Sequence, residues 1–421
     1  MRTKHLHAVL VLAIRYLIHH DGLTPNPRGG VDGNMEFPAV SERTRSRLIF
    51  VDATRGLAMV LVCLSHFGLF YFGRGSAPRA AALTFHLALP ATTTFMLVSG
   101  AMAGLLLTRE GGRAETLKDK LVDRGLFLLG PGHLLLRLAH WKVIASSPAS
   151  SHWLFVTDAI GACLVVGAYV VIKMRQQSRA LAGLVLFAGC WVAYLSWWPT
   201  ASASALLKDY LIGEEQNPAH GVIFPILPWL AFYLIATTLG EQLGVWRNRG
   251  KDLPRSLLLL AVPLLGLSAA LHVTRRLWHN DQLRAMLSAG QKYPPGPSYL
   301  LFGSGIAVFL LAFISWLEGQ GYLTRLITFL ATAGRASLTL FVVQYVVYYW
   351  WFLSLQLPVS GLWPLYFGLS LAFNFGAAWL WDRYCGNRYL TVGWPWFRRA
   401  ASVPQAPGPS GYDRAIDRSK L

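Results

Sequence analysis

The stretch Arg47–Phe72, RLIFVDATRGLAMVLVCLSHFGLFYF, decides the fold. Residues 48–72 form an apolar run long enough for a membrane-spanning helix, which needs about 20 such residues. Inside it sit Asp52, Arg55 and His66. At 100° per residue Arg55 and His66, eleven positions apart, return to nearly one face, about 16 Å apart along the axis, and Asp52 lies one turn before Arg55. An ionisable side chain at membrane depth costs roughly 2.5 kcal/mol or more, so a stripe of three implies surroundings of protein or water rather than lipid.

The 421 residues are 54% hydrophobic and only 14% charged, more apolar surface than one soluble core buries. The chain therefore reads as all-α, a polytopic transmembrane helix bundle. A net charge of +18 raises the question of nucleic acid, but the Lys and Arg lie in short segments between apolar runs, where they set orientation. No nucleic-acid partner is expected. The four cysteines have neither CxxC nor metal-ligand spacing, and three fall inside spans as small buried apolar residues. HExxH, GxSxG, Walker A and dinucleotide fingerprints are all absent from the sequence, so no metal or bound cofactor is expected.

Ten spans are predicted: 48–72, 83–107, 121–137, 153–172, 180–198, one from about Gly221, 257–273, 299–316, 326–350 and 362–381. Pro90 should kink the second, and Gly130-Pro131-Gly132 should break the third. Segments 108–125, 173–179 and 244–255 carry five, three and four Lys/Arg, against two, two and one in 73–82, 137–152 and 199–220. That bias places both termini in the cytoplasm. Segment 272–296, with four, runs against it and reads as a binding surface. Residues 1–46 read as a disordered or interfacial tail, 47–381 as the membrane domain, and 382–421 as a basic Pro/Gly-containing cytoplasmic tail.

The first-span pattern of Arg, Asp, an Arg-Gly pair and a later His resembles that of the bacterial relatives of heparan-α-glucosaminide N-acetyltransferase, and Arg-x10-His that of the wider membrane acyltransferase family 3. Other pieces similar to the family follow in order: His86 to Pro90 before FMLVSGAMAGLLL, PILPWLAFYLIATTLGE, QKYPPGPSYLLFGSGIAVFLLA and GRASLTLFVVQYVVYY. Gln344 stands where relatives carry a ninth-span His, so no role transfers to it.

The resemblance implies an integral-membrane acyltransferase that moves an acetyl or other acyl group from cytoplasmic acyl-CoA to a hydroxyl or amine of a glycan or envelope glycolipid. It implies a multi-pass protein of the bacterial plasma membrane, with a homo-oligomer also compatible. His66, whose imidazole titrates near neutrality, is expected as general base, with His86 approaching it from the second span. The guanidinium of Arg55 suits donor phosphate; Asp52 orients it, and Arg335 beside Gly334 offers a second anion contact at a helix N-terminus. Lys292 and Tyr293 are acceptor-side candidates, or else a rigid turn leading into the eighth span. His133 reads as a polar cap of the broken third span. The alternatives are a proton-coupled transporter or flippase, which the charged stripe also suits, and a scaffold in which those charges only lock helix packing.

Overall fold

The computed structural model describes residues 48–72, 77–110, 114–146, 154–213, 224–355, 357, 359 and 361–385. The predicted N-terminal tail, 1–46, and all of the predicted C-terminal tail 382–421 beyond residue 385 lie outside the described residues. Among the described residues every extended regular element is helical, as the composition predicts. Among the described residues seven helical stretches are long and apolar enough to cross a membrane, or eight if Thr324–Arg335 and Ser337–Phe352 count as one broken span.

That count falls below the ten expected, and the reasons are local. The predicted third span is helical throughout, as α4 (Ala114–Phe127), a π-helical turn at Leu128–Gly132 with Pro131 inside it, and α5 (His133–Ala139), but charges such as Asp123, Arg124 and Arg137 keep it outside the seven. The predicted tenth is one helix, Trp363–Cys385, but its Trp, Tyr, Asn374 and Asp382 keep it outside the seven. Pro90 does kink the second: α2 (Pro78–Ala88) and α3 (Ala91–Glu110) meet at a turn over Leu89 and Pro90.

The chain divides into two compact interleaved units, Met1–Arg109 with Leu239–Arg335, and Glu110–Thr238 with Ala336–Leu421. In the first unit, α1 (Ile49–Phe72) packs against α14 (Thr324–Arg335), α2 and α13 (Pro297–Gly319), while α13 also packs against α11 (Leu253–Thr274). In the second, α4 packs against α7 (Val156–Lys173), with Gly125 and Gly161 facing each other. There α15 (Ser337–Tyr345) contacts both α5 and the last helix, α17 (Trp363–Cys385). Helix α10 (Ile226–Asn248) supplies residues to both units.

The α1/α14 contact is backbone on backbone. A Cβ on Gly56 would stand 1.9 Å from the carbonyl oxygen of Leu330, and one on Gly334 would stand 2.0 Å from that of Asp52. Glycine at both positions lets the helices approach as small residues do in membrane bundles. A carbonyl held in a helix cannot swing aside, so overpacking here costs about 1–3 kcal/mol or more. Gly266 in α11 has nothing within 4 Å, and there alanine gains about 0.5–1 kcal/mol of helix propensity. Gly56→Ala is expected to lower the unfolding temperature of the detergent-purified protein by several degrees, while Gly266→Ala holds or raises it.

Candidate active site

Asp52 lies in the first turn of α1, where the free N–H groups favour a carboxylate, and is only 1% exposed. Three residues on, Arg55 donates from Nη2 to Asp52 Oδ1 at 3.2 Å and from Nε to the Gly334 carbonyl at 2.5 Å. Gly334 is the penultimate residue of α14, so the guanidinium meets the negative end of that helix. Arg55 thus cross-links a buried acid on its own helix to the carboxyl terminus of another, while its side chain stays 17% exposed. A second tie lies one turn earlier: the Phe50 N–H, free at the start of α1, donates to Glu318 Oε2 at 3.0 Å from the last turn of α13.

His66 is part-buried, on the same edge of α1 as Arg55 and three turns further along. The edge predicted from spacing therefore exists as one continuous face of a single helix. His86 is elsewhere. Thr84 and Ala88 are the buried residues of α2, and Thr84 packs against Gly68 of α1. His86, two positions and therefore about 200° from Thr84, is exposed on the opposite side of α2. Its ring lies 5.5 Å from that of its neighbour Phe85. The His86 imidazole is turned away from the α1/α2 contact.

Arg335 closes α14 and donates from Nη2 to Thr332 Oγ1 at 2.9 Å. The expected helix N-terminus at Gly334-Arg335 is a helix C-terminus; α15 starts only at Ser337, after a break at Ala336. Lys292 and Tyr293 lie in a tight turn ahead of α13, with Lys292 Nζ 5.1 Å from the Tyr293 ring centre. Gln291 Nε2 donates to the Tyr293 carbonyl at 2.7 Å, and the Gly296 N–H to the Gln291 carbonyl at 2.9 Å, while the Tyr293 side chain is exposed.

One polar cluster was not singled out from sequence. Tyr299, fully buried in α13, donates its hydroxyl to the Leu89 carbonyl at 3.3 Å, at the break that Pro90 makes. Beside it Thr93 Oγ1 donates to the Pro90 carbonyl at 3.0 Å, and Thr94 Oγ1 is buried without a hydrogen-bond partner. Its sequence signal was present: three consecutive threonines directly after a proline in an apolar span.

A helix bundle whose first candidate span carries a buried acid tied to an arginine defines a polytopic membrane protein. A family model described as heparan-alpha-glucosaminide N-acetyltransferase, catalytic, matches residues 47–272, more than half of the chain. The chain belongs to that family, a family of membrane acetyltransferases. The match covers Asp52, Arg55, His66 and His86, and stops short of Lys292, Tyr293 and Arg335. Curated proteins contain no match to this chain.

Taking away Arg55 leaves the Asp52 carboxylate buried without its guanidinium, a loss of about 3 kcal/mol for pairs of this kind. Arg55→Ala is expected to unfold at clearly lower temperature than wild type, and Asp52→Asn/Arg55→Ala to recover part of the loss. Equal unfolding temperatures for the single and double variants would show that the pair is not coupled.

Proposed function

We propose that this protein transfers an acetyl or other acyl group from cytoplasmic acyl-CoA to a hydroxyl or amine of a glycan or envelope glycolipid in the bacterial plasma membrane. The observation that carries the reading is the Arg55 guanidinium: fixed by Asp52 and Gly334, still part-open, and inside the stretch that matches the family. A planar fork of donors held in place suits an anionic phosphate. His66, on the same edge, supplies an imidazole through which a proton is exchanged during transfer. Asp52 orients Arg55 and touches no substrate in this reading. Arg335 serves as a second cation at the same helix end.

Binding of acetyl-CoA and slow thioester turnover by the detergent-purified protein test this. Arg55→Lys keeps the charge and loses the fork; it is expected to weaken acetyl-CoA binding about tenfold or more. His66→Gln is expected to leave binding intact and to lower turnover about 100-fold. Well-folded wild type that binds no acetyl-CoA would move the assignment to a proton-coupled transporter.

A further inference from the structure

Two arginines mark where α11 meets the boundaries of the membrane. Between Arg255 and Arg275 the helix carries no Asp, Glu, Lys or Arg. The two are twenty residues apart, about 30 Å along the axis, which is the thickness of a bilayer's hydrocarbon core. Only 17% of its apolar stretch is buried in the protein, so most of the helix surface is left for lipid. Arg275 and the residues after it therefore stand at headgroup depth. They lie at the end of the first unit away from the Phe50–Glu318 tie, because α13, which begins at Pro297, carries Glu318 in its last turn.

The chain stays at this depth until α13 begins. Residues 275–296 form a strap that folds back on the end of α11: the Ala289 N–H donates to His272 Nδ1 at 3.0 Å, and Arg275 Nη1 donates to Ser288 Oγ at 3.1 Å. Within the strap, Asn280 Oδ1 caps α12 (Asp281–Met286) by accepting the Leu283 N–H at 3.0 Å, and Arg284 Nη2 donates to the Trp278 carbonyl at 3.1 Å. These bonds fix the shape of the strap and leave its rim to the surroundings.

That rim mixes cations with large apolar groups. Arg276 and Arg284 are exposed, and so are Trp278, Tyr293 and Leu277, the last to 76%. Against Arg275, Arg276, Arg284 and Lys292 the strap has one acid, Asp281, paired with Arg284 at 3.2 Å, so three positive charges are in excess. Water does not suit Leu277 and Trp278 together, and hydrocarbon does not suit Arg276. A headgroup layer suits all three, since leucine and indole reach the acyl boundary while a guanidinium stays among phosphates. Excess positive charge selects a lipid of net negative charge over a zwitterionic one, whose own ammonium cancels its phosphate.

We propose that the strap 275–296 is a binding surface for anionic phospholipid, with Arg276 and Arg284 on headgroup phosphate and Leu277 and Trp278 seated at the acyl boundary. The proposal is independent of the transferase reading, since it concerns what the strap touches and not what the protein catalyses. It also accounts for the Lys/Arg count of segment 272–296, which runs against the charge bias of the other segments.

Native mass spectrometry of the full-length protein, purified in detergent and titrated with phosphatidylglycerol or phosphatidylcholine, tests the assignment. Wild type is expected to retain phosphatidylglycerol at concentrations about 100-fold lower than phosphatidylcholine, about fivefold for each excess cation. Arg276→Gln changes an exposed side chain; it is expected to fold normally and to lower that preference about fivefold. Leu277→Ser is expected to weaken retention of both lipids and to leave the preference as it was. Arg249→Gln, which removes an exposed cation just before the other end of α11, is expected to leave both unchanged. Equal retention of the two lipids by wild type overturns the proposal. So does a loss of preference in Arg249→Gln equal to that in Arg276→Gln, which would make net charge the cause. Displacement of phosphatidylglycerol by inorganic phosphate at constant ionic strength overturns it as well, by revealing a site for a bare anion.

Discussion

A carboxylate and a guanidinium inside an apolar helix are tolerable only where both are tied, and the first unit is arranged around those ties. Asp52 is paid for by Arg55, and Arg55 reaches a carbonyl at the end of α14. That reach requires α14 to lie against α1 at backbone contact, which is why Gly56 and Gly334 face each other's helices. The same first turn needs a partner for its Phe50 N–H, and α13 delivers Glu318 to it. Sequence chemistry, helix spacing and the choice of glycine are here one requirement seen three times.

The second unit meets a related demand differently. Its Gly130-Pro131-Gly132 break interrupts the regular ladder of backbone hydrogen bonds, and the chain resumes as α5 with His133 in place for Asp158. Lys208, 4% exposed, turns its ammonium to the Trp197 carbonyl at 2.7 Å, closing the free end of α8 (Gln176–Ser196). Asp52, Asp158 and Lys208 are buried charges placed where helices start or stop, the points at which backbone groups lack partners.

How much of this was legible follows from what each feature depends on. Helix α1 was read to within a residue, and the spans 153–172, 180–198, 257–273 and 299–316 fall on the helices Val156–Lys173, Gln176–Ser196, Leu253–Thr274 and Pro297–Gly319. Length and apolarity are properties of the segment itself. The Asp52–Arg55 pair was legible for the same reason, being a matter of three positions on one helix. The side of α2 that bears His86 was not, because it depends on where Thr84 meets Gly68 of another helix. Nor was the end of α14 at Arg335, since Ala336, where the helix breaks, is an ordinary helix former. His133 and Asp158 are 25 residues apart, and nothing in either segment announces the other.

The two ties on α1 have a mechanical consequence. Phe50 and Arg55 are five residues apart, about 7.5 Å along the axis, and each is fastened to a different helix. A rod pinned at two heights to two neighbours can neither slide one residue along its length nor roll about it without breaking both pins. Rearrangement at this end of the first unit therefore carries α1, the tail of α13 and the tail of α14 as a single lever, with the Asp52–Arg55 pair riding undisturbed upon it.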